Sequence, residues 1–192
     1  MATYLPPVER PRGLMTRAVY AFSRRMFGTV PTATKVFTAR MPAAFGSYFG
    51  KAYRLDKKLR LPASTAMLVR QEVSSLNGCA ACLDIGRWFI LRKSADSAAR
   101  LDALPEYRTS PLFGDAERAA LDFVAELTTD KRVAPETFAR LAGHYSEREI
   151  CDIVWLVASE TQSNVANLGL NIGSDGLCEL RSAPADRGSS VA

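Results

Sequence analysis

The sequence predicts an all-α fold, and three observations carry that expectation. Ser146-Glu147-Arg148-Glu149 is a capping box, in which a hydroxyl and a carboxylate are spaced to satisfy each other's backbone N–H at a helix start. The helix it opens repeats apolar residues at Ile150, Ile153/Val154, Val157, Val165 and Leu168, and runs to about Leu170. Around Asn77-Gly78, the stretch Ser64 to Leu76 reads as one helix and Leu83 to Lys93 as the next, because Asn-Gly accepts the left-handed conformation that stops a helix. Finally, no alternating strand pattern, hairpin signal or repeat at a solenoid period occurs in the chain.

The bounds agree with one domain. A chain of 192 residues is long enough for one substantial core and a mobile arm. Apolar content of 47% is too high for a disordered chain. No apolar run approaches the ~20 residues that span a bilayer. The opening Met-Ala-Thr-Tyr-Leu-Pro-Pro-Val-Glu-Arg lacks the apolar core of a secretory signal, so a cytoplasmic protein is expected. Four unevenly spaced cysteines then read as reduced thiols rather than a disulfide framework.

Residues 1–60 hold twelve Lys and Arg against Glu9 and Asp56, a net of +10 that leaves −5 for residues 61–192. Such a basic third suits nucleic acid or an anionic membrane surface. Its charges are dispersed rather than clustered, however, so it is expected to dock on the acidic remainder of its own or a neighbouring subunit, with no nucleic-acid partner.

Along the chain, Pro6, Pro7 and Pro11 make an extended arm. Leu14 to Phe27 has helical spacing at Leu14, Ala18, Ala21/Phe22 and Arg25/Met26. Ala33 to Arg40 and Ala43 to Tyr53 read as two short helices. Their Phe37, Met41, Phe45, Tyr48, Phe49 and Tyr53 are expected in the core or a subunit interface. Ser94 is a fair cap for a short helix to Leu104, and Asp115 for a helix to Leu127. Pro135 sits at the first position of a helix ending near Gly143. From Gly173 onward Gly, Ser, Pro and Asp accumulate. The expected division is a basic arm with a helix over 1–30, a helical domain over 31–172 and a flexible tail over 173–192.

Chemistry concentrates at Cys79-Ala80-Ala81-Cys82. Cys79 is expected at or just before the first turn of a helix, where unpaired N–H groups and the helix dipole favour a thiolate. A C-x-x-C there lowers the pKa of its first cysteine and places the second to resolve a mixed disulfide. Two other readings stand beside a redox dithiol. A structural zinc needs two more ligands, and Cys151, Cys178 and His144 form no second paired motif; Cys151 reads as a small hydrophobe in an apolar helix. The remaining reading is two incidental cysteines in a packed helix.

Leu-Asn-Gly-Cys-Ala-Ala-Cys-Leu-Asp-Ile-Gly (residues 76–86) resembles the signature of the carboxymuconolactone decarboxylase and alkylhydroperoxidase D-like family. The resemblance extends from about Pro42 to about Leu170 and includes Ser110 to Leu121 and the start of the Ser146 helix. It implies an all-helical fold, assembly into homotrimers or homohexamers, and, in peroxidase members, a cysteine pair that reduces hydroperoxides and is re-reduced by a dithiol partner. It also implies the roles: Cys79 resolving or partner-facing, Cys82 peroxidatic. The chain departs from the peroxidase pattern where Gly86 and Ala81 stand for histidines and Met67 for a glutamate. Those groups relay the thiol's proton. Glu72 lies seven residues before Cys79, Asp84 is expected to repel a neighbouring thiolate rather than act as its base, and His144 is expected in a surface loop. The expected activity is thiol-dependent hydroperoxide reduction with no metal or organic cofactor. A non-catalytic helical scaffold for a small apolar ligand and a lactone decarboxylase are the alternatives.

Overall fold

Proline and glycine punctuate a run of helices in the computed structural model, which describes residues 2–92 and 96–182, and the side chains of all of these except 44–49, 53, 96 and 180–182. No strand occurs among the described residues. An extended arm leads into α1 (Leu14–Phe27), a π-helical turn (Thr34–Thr38) and α2 (Pro42–Asp56). After Pro62 come α3 (Ala63–Leu76) and α4 (Ala80–Leu91), then α5 (Asp96–Asp102) and a 3-10 turn (Leu104–Glu106). The remainder is α6 (Asp115–Thr129), α7 (Pro135–Ala142), α8 (Glu147–Gly169) and α9 (Leu177–Ser182).

The Ser146 capping box forms as expected. The Ser146 N–H donates to Glu149 Oε2 at 2.9 Å, and the Glu149 N–H donates to Ser146 Oγ at 3.4 Å. At α6 the expected cap is displaced by one residue. Gly114 holds the cap position and its N–H donates to Glu117 Oε2 at 3.2 Å, so Asp115 is the first helical residue rather than the cap. The expected cap Ser94 lies outside the described residues.

α3 is the central element, packed against α4, α6 and α8. Val69 and Val73 of α3 meet Ala120, Phe123 and Val124 of α6, and Ile153, Leu156 and Val157 of α8. All of these are buried, and burial of each valine, leucine, isoleucine or phenylalanine among them contributes ~1.5–3 kcal/mol. A second cluster joins Leu68 to Leu104, Tyr107, Phe113 and Leu121.

Several apolar residues face elsewhere than their spacing suggests. α1 buries Thr16, Tyr20 and Ser23, while Leu14 and Phe22 are exposed. Tyr20 explains the choice, because its hydroxyl donates to Val8 O at 2.7 Å and ties the arm down. In α8 the inward apolar stripe runs through Ile150, Ile153, Leu156 and Val157, and Val154, Val165 and Leu168 face outward. Cys151 is exposed on α8 rather than packed as a small hydrophobe. Of the aromatic-rich segment, Phe37 is half-buried and Met41 is exposed; the side chains of Phe45, Tyr48, Phe49 and Tyr53 lie outside the description.

Both ends of the described chain return to the middle. The Tyr4 N–H donates to Leu170 O at 3.0 Å, and Asn171 Nδ2 donates to Ala2 O at 2.8 Å. Residues 173–176 lead into α9, where composition alone suggested a flexible tail; residues 183–192 of that tail lie outside the description. Thr32 donates from both N–H and Oγ to the Asp175 carboxylate, which fixes this loop against the start of the π-helical turn.

One buried carboxylate holds the entry to α3. Asp152 is 3% exposed and accepts from Arg60 N at 2.6 Å, Leu61 N at 3.3 Å and Arg148 Nε at 3.0 Å. Asp152→Ala strands two backbone donors at once and is expected to cost about 3 kcal/mol in urea unfolding. A loss below ~0.5 kcal/mol, the scale of an ordinary surface change, would contradict this role.

Candidate functional site

The local fold around the cysteines follows from one glycine and one thiol. Gly78 takes φ +68°, the left-handed conformation that lets the chain reverse after α3, whereas Asn77 stays right-handed at φ −81°. The Cys79 N–H donates back to Ser74 O at 2.9 Å and closes α3. Cys79 is itself the cap of α4: its Sγ accepts from the Cys82 N–H at 3.3 Å, the bond a serine or aspartate side chain usually makes. α4 therefore starts three residues earlier than Leu83, and Cys82 lies in its first turn.

Cys79 and Cys82 form a disulfide, with Cα atoms 5.3 Å apart, inside the usual range for this bond. The pair is nearly sealed: Cys79 is 0% exposed and Cys82 is 7% exposed. Val36 of the π-helical turn and Ile172 cover it, with Ala33, Phe37 and Leu170 at the edge. The basic N-terminal third thus supplies the roof of the site.

The polar group at the sulfurs comes from α8. Asn167, itself buried, directs Nδ2 at Cys82 Sγ at 3.3 Å and at Cys79 Sγ at 3.9 Å. One turn earlier, Asn164 accepts from Asn77 Nδ2 at 2.8 Å and donates to Ser74 Oγ at 3.2 Å and Glu160 Oε1 at 3.3 Å. Glu160 also accepts from Ser74 Oγ at 2.9 Å and from Arg70 Nη1 at 2.8 Å, and Arg70 in turn pairs with Asp56 at 2.7 Å. The inward face of the second half of α8 is therefore polar, and it reads Glu160, Asn164, Asn167. Hydrophobic periodicity cannot find such a face; its signal is the asparagine pair three residues apart, on the helix stripe that continues from Ile153 and Leu156.

The acids and the histidine weighed from the sequence act elsewhere. Asp84 Oδ2 accepts from Ser174 Oγ at 2.9 Å, Asp175 N at 3.0 Å and Leu177 N at 3.1 Å, so it anchors the loop before α9 and its charge is turned away from the thiols. His144 is exposed in the turn after α7, as expected. At Gly86 an added Cβ would fall 1.8 Å from Gln71 Nε2, so a side chain there would displace the end of Gln71. Gln71 fills the space beside Gly86 that a side chain at this position would enter. Among the described residues no group of three or more His, Cys, Asp or Glu is placed to hold a metal ion. No described helix is long and apolar enough to cross a membrane.

Glu72 is buried near Tyr107 and Arg108 and makes no hydrogen bond to either sulfur. Burial pushes its carboxyl up from 4.5 to about 7, against the opposing pull of Arg108. Between those values the folded chain keeps a proton that the unfolded chain has released, so stability is fully present below pH 4.5 and falls as pH rises through 7. Glu72→Gln is expected to stabilise the protein by about 2 kcal/mol at pH 8 and to change little at pH 4. Urea unfolding at both pH values measures this, and an equal effect at the two would contradict it.

With this geometry in place, comparison with known proteins is informative. No family model matches the chain. It is 27% identical over 180 residues to the uncharacterized protein YnjA of Escherichia coli (strain K12), covering 92% of this chain and 96% of that one. Among solved structures it is similar to a variant of the debrominase Bmp8 in complex with 2,3,4-tribromopyrrole, with TM-score 0.76 and 23% identity over 94% of this chain and 96% of that one. It is also similar to the alkylhydroperoxidase AhpD core of an uncharacterized peroxidase-related protein from Ralstonia eutropha JMP134. There the TM-score is 0.71 and the identity 20%, over 90% of this chain and 95% of that one. The fold implied by the resemblance of residues 76–86 and their flanks is the fold observed: the chain is an alkylhydroperoxidase D-like helical protein in its architecture.

Proposed function

We propose that the chain reduces hydroperoxides with the Cys79–Cys82 dithiol, at the expense of a dithiol reductant. The observation that carries this reading is the pair itself, placed at the start of α4 with the Asn167 amide directed at both sulfurs. A helix N-terminus and a hydrogen-bond donor both favour sulfur in its anionic form. They are the features that stand in for the absent histidine and glutamate relay.

The steps balance with those groups alone. The Cys82 thiolate attacks the terminal peroxide oxygen, the O–O bond breaks, and with one proton taken up an alcohol leaves and a sulfenic acid remains. The Cys79 thiol then attacks that sulfur, releasing water and forming the observed disulfide. A dithiol reductant of protein or small-molecule kind restores both thiols and is itself oxidised to a disulfide. Cys82 is given the attacking role that the resemblance implies, and its residue is the less buried of the two, 7% exposed against 0%. A homotrimer or homohexamer in a reducing cytoplasm completes the proposal, in line with the family resemblance.

The test is a thiol count. One equivalent of tert-butyl hydroperoxide is expected to remove two thiols from the reduced protein, Cys79 and Cys82, and to leave Cys151 and Cys178 titratable. Dithiothreitol is expected to sustain turnover. The likeness in fold to a debrominase makes a bromopyrrole the comparison substrate in the same assay. Thiols indifferent to peroxide would leave a helical scaffold without this chemistry.

A further inference from the structure

A cleft of about 410 Å³ opens on another face of α4. Its walls come from Leu83, Leu101, Leu104 and Pro105, with Arg87 and Cys178 at its side. This is the α4 face of Leu83 and Arg87, whereas the sulfurs are packed on Val36 and Ile172, so the cleft is a separate feature from the dithiol. Its volume falls in the range of small-molecule sites, and polar groups of Gln71, Ser75, Asp84 and Ser174 stand among the apolar walls.

Gln71 gives the cleft its specificity. Its side chain is 95% buried, at 5% exposure, and it lines the cleft. Among the described residues the Gln71 carboxamide has no hydrogen-bond partner. The sealed, unpartnered polar side-chain atoms among the described residues are Arg100 Nε and Thr128 Oγ1, so the Gln71 amide, which lines the cleft, reaches its solvent and is open to a hydrogen bond from a bound molecule. Gly86 leaves the amide its place, since a Cβ there would fall 1.8 Å from Nε2 and the flexible Gln71 side chain would have to shift.

The charges of the cleft are already matched. Arg87 Nη1 pairs with Asp102 Oδ1 at 2.7 Å, and the Asp84 carboxylate is occupied by three donors from residues 174–177. No unmatched charge remains to hold an ion, so the occupant is neutral.

We propose that this cleft binds a small uncharged molecule with an apolar, ring-sized body and one amide or hydroxyl head group, which hydrogen-bonds to the Gln71 carboxamide. The apolar walls hold the body, and Gln71 reads the head group.

Benzamide is the probe and toluene its apolar control, followed by NMR on the leucine methyl groups of the full chain. Saturable shifts at Leu83, Leu101 and Leu104 are expected, with benzamide binding about tenfold tighter than toluene, the value of one hydrogen bond to a buried polar group. Gln71→Met, of similar length, is expected to bring benzamide down to the toluene affinity and leave toluene unchanged. Gly86→Ala, which pushes the amide aside, is expected to do the same. Shifts confined to other leucines, equal affinities for the two probes in the wild type, or no saturable shift at the solubility limit of benzamide would each overturn the proposal. The comparison of two probes on the unmodified protein holds even where a variant fails to fold.

Discussion

Cys82→Ser is expected to bring hydroperoxide consumption down to the uncatalysed rate, and Cys79→Ser to convert turnover into a single event. The difference follows from the two steps. Without Cys82 the attacking thiolate of the site is lost, Cys79 is sealed at 0% exposure, and a serine hydroxyl is far too weak an acid to take over at neutral pH. Without Cys79 the first step proceeds and one equivalent of peroxide is consumed, but the sulfenic acid has no neighbouring thiol to resolve it. Stopped-flow measurement with a few-fold excess of tert-butyl hydroperoxide separates the two outcomes: no burst for Cys82→Ser, and a one-equivalent burst for Cys79→Ser in the absence of external thiol. The reverse pattern would exchange the roles. Neither variant differing from wild type would remove the dithiol from the chemistry altogether.

Asn167→Leu carries the second large effect. Among the described residues, the amide at 3.3 Å from Cys82 Sγ is the one side-chain donor to the sulfurs. A hydrogen bond to a charged group contributes ~1.5–3 kcal/mol, which corresponds to roughly one to two pH units in a titration midpoint. The leucine keeps the volume and loses the donor, so the alkylation profile of reduced Cys82 is expected to move up by about one unit. Peroxide reduction at neutral pH is then expected to slow about tenfold, in proportion to the lost thiolate. A purely structural asparagine would change stability and leave the profile where it was. Asn167→Gln, if the longer amide still reaches the sulfur, is expected to restore part of the shift.

Much of the architecture is legible in the sequence because it is fixed by short-range signals. The Ser146 capping box, Pro135 at the start of α7, and the Asn77-Gly78 stop act within four residues of themselves, and each element ends where its signal says. Cys79 at the head of α4 is legible for the same reason. The start of α4 at Ala80 is not, because a cysteine cap lacks the usual serine or aspartate mark. The site's second residue, Asn167, is hidden by a different cause. Apolar periodicity assigns an inward face from Val165 and Leu168, but those two are exposed, and the polar stripe Glu160, Asn164, Asn167 turns inward to meet Ser74, Asn77 and the sulfurs. The contact of Gln71 with Gly86 joins two helices and appears only when both are placed. Asp84 looks like a neighbour of the thiols in sequence, yet it points at the loop before α9, because on a helix residues two apart face different ways.

In the proposed mechanism the helix start and Asn167 do the work of the missing relay. The most direct test is the rate of Cys82 alkylation by a small reagent against pH, in the fully reduced wild-type protein. The account predicts a midpoint clearly below the free-thiol value of ~8.5, together with hydroperoxide consumption that follows the same curve. A midpoint at or above ~8.5, as burial alone would give, with no peroxide consumed, would contradict it.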